Sequence, residues 1–455
     1  MTEHDHAVVT APGALPLLGH AGAFQRDPAR FLASLSRHGD LVRIKMGPMR
    51  VLVVCHPALL DEMLVRDKIF DRAGPLFQRA RDVVGNGVAT CPHAEHRRQR
   101  RLVQPAFHKT RMPGYAAIAS SQIAEHTAAW RAGQSMDVIA ELNRLTCAVV
   151  ARTLFSTEMD ASELARVVTD IQTVLDGLTR SAMTPPRLEH LPIVGIRGFL
   201  AARDRLRQGT LRLVSDYRRA GGDRGDLLSM LLMAGDAADG RLSDEEVCDQ
   251  VLTFTMAGTE TLANTMAWAL HRLSRHPEVE RRLHAEVDAV LDGRVATFDD
   301  LDRLEYTGQV IAETLRLHSP AFLFLRRVSI DAELGGAPVA TGDTVLWSPH
   351  TIHYRPDLYP DPERFDPGRW AGDMRKTLPR GAYVPFGGGP RKCVGEYFAL
   401  TEGAMALASI VARWRLRPTT DRPVRGVFRA TLRPHTLHLI PEPRARSSVR
   451  NQLGA

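Results

Sequence analysis

Lysine is almost missing from this sequence. Only Lys45, Lys68, Lys109, Lys376 and Lys392 occur among 59 basic residues, and the remaining cations are scattered arginines. With 52 acids the formal net charge is +7. Nucleic-acid binding needs a concentrated basic stripe or a known module, and neither is present. The excess reads either as arginine-for-lysine usage on a solvated surface or as a docking face for an acidic partner. Cysteine is also scarce: Cys55, Cys91, Cys147, Cys248 and Cys393 are widely spaced and form no CxxC pair. That speaks against a disulfide framework or a zinc knuckle and fits a reducing cytoplasm. No run of about 18 apolar residues occurs, so no membrane insertion is expected. The first residues, MTEHDHAVVT, carry acids and no apolar core, so no signal peptide is expected. Repeats and Gly/Ser linkers are absent too. A prior of roughly 150 residues per domain would divide the 455 residues into three. A single domain over 1–455 is expected instead, with 1–10 and 443–455 flexible.

The 44% hydrophobic content is that of a globular chain. Leu41–Met46 and Arg50–Cys55 read as two strands turned at Gly47-Pro48. From about 58 to 290 the pattern is mostly helical, with breaks near 85–87, 185–186 and 221–222. Residues 321–350 are strand-like, 354–392 are rich in Pro and Gly, a helix follows Cys393, and strands return near 424–440. The fold class expected is mainly α with a smaller β region. Ser243-Asp244-Glu245-Glu246 is a capping box, and the helix it opens should run to about Arg275, before Pro277.

The most informative stretch runs from Phe386 through Gly387-Gly388-Gly389-Pro390-Arg391-Lys392 to Cys393 and Gly395. Its glycines allow tight turns and close approach to a ligand. Arg391, Lys392 and the start of the following helix favour a thiolate at Cys393. That thiolate could be a nucleophile or a metal ligand, and no base for a nucleophile sits in the motif. Glu313 and Arg316 are three residues apart on one helix face, ordinarily a surface ion pair. Ala257-Gly258-Thr259-Glu260-Thr261 puts a glycine and polar residues in the middle of an apolar helix, as a tolerated kink or as a functional feature. His96-Arg97-Arg98-Gln99-Arg100-Arg101 is a basic helical run that would often be a solvated face.

Together these motifs, in this order, resemble the cytochrome P450 family. The spacing of Phe386, Gly389, Arg391, Cys393 and Gly395, continued by Phe398-Ala399 and Glu402, matches the family's heme-binding loop. The resemblance covers nearly the whole chain and implies the family's triangular prism fold. It implies heme b with its iron ligated by Cys393, thiolate donation favouring O–O cleavage. Glu313 and Arg316 would join Arg369, from the segment Pro362–Trp370, in a buried structural cluster. Thr261 would place a hydroxyl beside O2, Glu260 would relay protons from solvent, and Gly258 would let O2 and substrate approach. His96, Arg100, Arg326 and Arg391 would meet the heme propionates, with Arg327 an alternative to Arg326; Phe386 belongs to the same cofactor site. Substrate-pocket positions by the same analogy lie around 75–90, 178–195, 254–261, 320–325 and 428–432, with Phe254, Ala257, Phe322 and Leu323 as candidates.

The reaction implied is monooxygenation of an apolar small molecule, a terpenoid or other secondary metabolite, with a macrolide, polyketide or steroid as alternatives. A peroxide-driven heme enzyme or a heme-based sensor is the alternative class. Electrons would come from a ferredoxin and an NAD(P)H-dependent ferredoxin reductase, docking near Arg97, Arg98, Arg101 and Lys392. A cytoplasmic monomer is expected.

Overall fold

The long central helix starts where its capping box places it. The Ser243 side chain accepts from the Glu246 N–H while the Glu246 carboxylate accepts from the Ser243 N–H, and the helix Asp244–Arg275 follows. Its 32 residues span about 48 Å. In this computed structural model, which describes residues 6–183, 196–236, 240–372 and 374–444, that helix is the axis of the molecule. Helices Val138–Phe155, Ile196–Ala220, Glu305–Leu317 and Glu396–Arg413 pack around it. Nearly all of Val247–Leu273 is buried, so the helix is apolar on most faces rather than on one stripe. The large core cluster runs through these helices, from Val88 to Leu439.

The sheet-rich part is assembled from distant segments. Six strands lie in the order Val8–Thr10, Leu41–Met46, Met49–Val54, Thr344–Trp347, Phe324–Val328 and Phe70–Asp71. The hairpin between the second and third turns through Gly47 at φ +60°, a conformation glycine adopts without steric cost. A second hairpin, Gly426–Arg429 with Thr431–Pro434, turns through Ala430 at φ +52°. It rests on the long helix.

The ends depart from expectation. Of 1–10, residues 1–5 lie outside the described residues, but Val8–Thr10 is a strand paired in parallel with Leu41–Arg43. His6 is tied to Gly335 by its backbone and to Asp40 by its ring. At the other end His438–Pro443 pairs with Trp414–Pro418, and Arg444 reaches Asp288 at 2.7 Å; residues 445–455 lie outside the described residues. A short strand completing a sheet edge carries too little periodic pattern to be read from sequence. The expected break at 185–186 lies outside the described residues. No helix among those described is long and apolar enough to cross a membrane.

Candidate active site

Cys393 is held by a loop that only glycine can build. Gly387 and Gly389 sit at φ +71° and +60°. A Cβ on Gly389 would lie 2.1 Å from the Leu64 carbonyl oxygen, so the loop presses directly on helix Pro57–Val65. The Cys393 N–H donates to the Phe386 carbonyl at 2.9 Å. The thiol opens into a cavity. Burial pushes the thiol up from its ordinary range; the Gly395 N–H and the charges of Arg100 and Lys392 pull it back. Arg391, expected to favour the thiolate, instead turns away to donate to Asp71 (3.1 Å) and the Cys91 carbonyl (2.7 Å) and lies 3.4 Å from Asp67. Burial thus outweighs the local positive charge, and a metal cation would have to take up the thiolate.

The loop is braced from behind by the glutamate–arginine cluster. Arg316 grips Glu313 through two bonds of 2.9 and 2.8 Å, and both side chains are wholly buried. Glu313 also accepts from the Trp370 indole (2.9 Å) and the Asp366 N–H (3.1 Å), with Arg369 at 3.5 Å. The spare donors of Arg316 reach the carbonyls of His353, Pro362 and Arg364. His353 carries the brace onward. Its Nδ1 faces the Arg316 carbonyl at 3.1 Å and its Nε2 the Val384 N–H at 3.0 Å, so the network assigns the proton to Nδ1. The Val384 carbonyl then accepts from Gly387, the first residue of the glycine loop.

Among the described residues four guanidiniums line the cavity: Arg72, Arg100, Arg326 and Arg391. Two carboxylates, Asp67 and Asp71, stand among them against Arg391. Among these six groups the balance is two positive charges in excess. Arg326 is the most exposed to that imbalance: it is 4% accessible, and its guanidinium makes only a long 3.4 Å bond to the Leu325 carbonyl. Burial, then the neighbouring Arg72 and Arg391, pull it well below its ordinary range. Arg72 is drawn down to about 10 by the same causes, burial first. Such a group needs an anion. Two propionates supply the two missing negative charges, so the residues fit heme b. His96 lines the same side and is pushed down to about 3, by burial and then by Arg391 and Arg72. It is therefore neutral and offers one N–H. Arg326 lies on the cavity side of its strand; Arg327, next along, does not line the cavity. Sequence reading missed Arg72, which lies outside the motifs.

Ala257, Gly258 and Thr261, from the long helix, line the same cavity as Cys393. The Thr261 hydroxyl donates back to the Ala257 carbonyl at 2.6 Å, leaving its oxygen to accept. A Cβ on Gly258 would meet Val150 at 2.7 Å, so this glycine is required by helix packing as well as by the cavity. Glu260 does not line the cavity. It is 2% exposed and accepts from the Thr431 hydroxyl at 3.0 Å, which in turn accepts from Asn264 at 2.9 Å. Its other carboxylate oxygen is buried without a partner. Burial raises Glu260 to about 7, against the opposing Thr431 bond and the Arg433 charge, with Asp176 pushing it up. Arg433 and Asp176 face one another at 3.8 Å. Thr431, 171 residues away, carries no motif of its own.

Phe254 and Ala257 line the cavity as expected. Phe322 and Leu323 do not. Phe322 is fully buried against Phe428 (4.7 Å) and His350 (5.6 Å), and Leu323 packs on the same separate cluster. Pro320, Ala321 and Phe324 take the cavity wall instead. The chain turns between 320 and 324 before its strand begins, and that fixes which side chains face in. The candidates within 184–195 lie outside the described residues. Arg98, expected on the docking face, turns to Glu246 at 2.7 Å, and Lys392 to Glu396 at 2.5 Å. Arg97, Arg100 and Arg101 instead line an open groove with His108 and Pro390.

A mostly helical chain with a cysteine thiol opening into an apolar cavity, flanked by four guanidiniums against two carboxylates, defines a heme-thiolate enzyme. The cytochrome P450 family model matches residues 10–439, and the chain belongs to that family. It is 44% identical over 437 residues to cyclooctat-9-en-7-ol 5-monooxygenase of Streptomyces melanosporofaciens, covering 96% of this chain and 95% of that protein. It is 42% identical to pentalenene oxygenase of Streptomyces avermitilis, covering 95% and 96%. The crystal structure of the cytochrome P450DA heme domain superposes with a TM-score of 0.88 at 27% identity, covering 97% and 99%. The chain is accordingly a P450 monooxygenase whose cofactor is heme b, ligated through Cys393.

Proposed function

We propose that this monooxygenase oxidises an apolar terpenoid and takes its electrons from a ferredoxin served by an NAD(P)H-dependent ferredoxin reductase. The observation that carries the reading is the cavity itself. Its lining includes Val150, Leu154, Phe254, Ala257 and Ala321, and the cations lining it among the described residues are Arg72, Arg100, Arg326, Arg391 and Lys392, all from segments that would hold the heme. Two relatives above 40% identity are named for oxidation of cyclooctat-9-en-7-ol and pentalenene.

When bound, heme b supplies the redox chemistry that activates O2, one oxygen atom entering a C–H bond and the other leaving as water. The protein's own groups do the rest. Cys393 gives its thiolate to iron, braced by the Gly395 N–H. Arg72, Arg100, Arg326 and Arg391 would hold the propionates, and neutral His96 would donate one further bond. Thr261 keeps a hydroxyl oxygen turned to the cavity because its proton is committed to Ala257. Glu260 changes protonation near neutrality and exchanges protons behind Thr261, held by Thr431. The groove bordered by Arg97, Arg100 and Arg101 receives an acidic ferredoxin, which makes turnover sensitive to salt.

Turnover with ferredoxin, reductase and NADPH on a panel of terpenes, steroids and macrolides tests this. Product from a terpene is expected. Product formed only with added peroxide would overturn the electron route, and binding spectra responding only to macrolides or steroids would overturn the substrate class.

A further inference from the structure

The cavity holds a second glutamate, besides the Glu260 behind Thr261, and nothing in the protein pairs with it. Glu402 lies on helix Glu396–Arg413, which begins just after Cys393. Phe398, Ala399 and Glu402 line the same cavity as Cys393, at the three- and four-residue spacing of one helix face. Glu402 is 2% exposed, and its Oε2 is buried with no hydrogen-bond partner among the described residues.

Its surroundings are apolar. A Cβ on the next residue, Gly403, would lie 3.1 Å from Leu262 Cδ1 and 3.7 Å from Ile311 Cδ1. Leu262, Ile311 and Leu315 share the cavity wall with Glu402. The ionisable groups of the elements packed on this helix turn to other partners: Glu260 to Thr431, Glu313 to Arg316 and Trp370, Glu280 to Arg415 and Arg417, Asp300 to Arg294. Tyr115 meets Phe398 edge-on at 5.8 Å, and His284 is pushed down to about 4, by burial first. Burial raises Glu402 well above the ordinary carboxyl range, and neither these groups nor the cations of the cavity pull it back. A carboxyl group without a donor costs stability that leucine would not cost here.

We propose that Glu402 is a redox-linked proton site: when the heme iron gains an electron, the Glu402 carboxylate gains a proton from solvent. The four guanidiniums, Asp67, Asp71 and two propionates balance among themselves, so nothing on that side answers the charge an electron brings. In a dry cavity that charge acts on Glu402 with little screening. One O–H bond forms on a carboxylate oxygen and no bond of the protein breaks. Electron and proton together leave the net charge of the cavity unchanged. The coupling needs heme b in the cavity and holds whatever the ferredoxin or the substrate.

The test is a reductive titration of the heme-loaded protein with dithionite, its absorbance read against dyes of known potential from about pH 6 to about pH 10. The potential of wild type should stay level while Glu402 keeps its proton in both states. It should then fall with rising pH, approaching a tenfold change in the reduction equilibrium per pH unit, about 59 mV for one electron. Glu402→Gln keeps the shape and never ionises, and should show no such fall at an unchanged heme spectrum. Glu402→Leu guards against a folding loss in that variant. It should be equally level and should unfold at higher urea than wild type, because an unpaired buried polar group is gone. A merely structural Glu402 would alter heme retention in both variants and leave the fall in place. Glu260 also titrates near neutrality, so Glu260→Gln is measured alongside. A level potential throughout in wild type, a fall retained in Glu402→Gln or Glu402→Leu, or a fall removed by Glu260→Gln would overturn the proposal.

Discussion

Two buried glutamates, Glu313 and Glu260, sit at opposite ends of one design. Glu313 is surrounded by donors: Arg316 twice, the Trp370 indole, the Asp366 N–H and Arg369. Glu260 has one hydroxyl, from Thr431, the uncharged Asn264 amide beside it, and one oxygen with no hydrogen-bond partner among the described residues. The first is a carboxylate locked in place that fixes the frame behind the cysteine loop. The second is held weakly enough to change protonation near neutral pH. Burial alone does not distinguish a structural acid from a working one; the number and charge of its donors does.

The largest effect that would break this contrast is at Glu313. Glu313→Gln leaves Arg316 buried without its counter-charge and should cost about 3–5 kcal/mol, with poor heme retention. Urea unfolding with the heme absorbance followed in parallel measures it. If the variant folds and retains heme like wild type, the frame is held elsewhere.

The next concerns pH. Glu260 is raised from 4.5 to about 7, so the folded state binds the extra proton between those values. Stability from this group is therefore greatest at low pH and is lost as pH rises from 4.5 to 7, by on the order of 3 kcal/mol. Glu260→Gln removes that slope. Unfolding at pH 5 and pH 7.5, compared between wild type and variant, reads it; parallel curves would show Glu260 to be ionised throughout.

In turnover, Glu260→Gln should reduce product formation about 10²-fold at unchanged heme content, near 2.7 kcal/mol. Thr431→Val should have a milder effect of about 1 kcal/mol, and Thr431→Ser should restore wild-type behaviour. Product formed per NADPH consumed separates these from a folding defect, because a misfolded fraction lowers both equally. Smallest of all, Arg97→Glu with Arg101→Glu should raise the KM for ferredoxin several-fold and leave kcat alone. A change in kcat only would place docking on another face.

Much of this is legible in the sequence. The capping box set the start of the long helix, and Pro277 its end, because caps and prolines act within one turn. Cys393 was legible because several residue types must coincide around it. Arg326 against Arg327 was not, since that choice depends on which face of a strand meets the cavity. Phe322 and Leu323 were misplaced for a related reason: apolar character does not say which of two adjacent clusters a side chain joins. Thr431 and Arg72 were missed because their partners come from distant segments, and neither belongs to a local pattern. The expected fraying at 6–10 and 443–444 failed because short edge strands are held by partners rather than by their own sequence.

The central claim is that Cys393 supplies the thiolate that ligates the heme iron. The direct measurement is the absorption spectrum of the reduced, carbon monoxide-bound protein, in wild type and in Cys393→His. Wild type should show the thiolate-type band, and the variant should bind heme with that band replaced by one of imidazole type. A variant spectrum identical to wild type would mean that another residue ligates the iron.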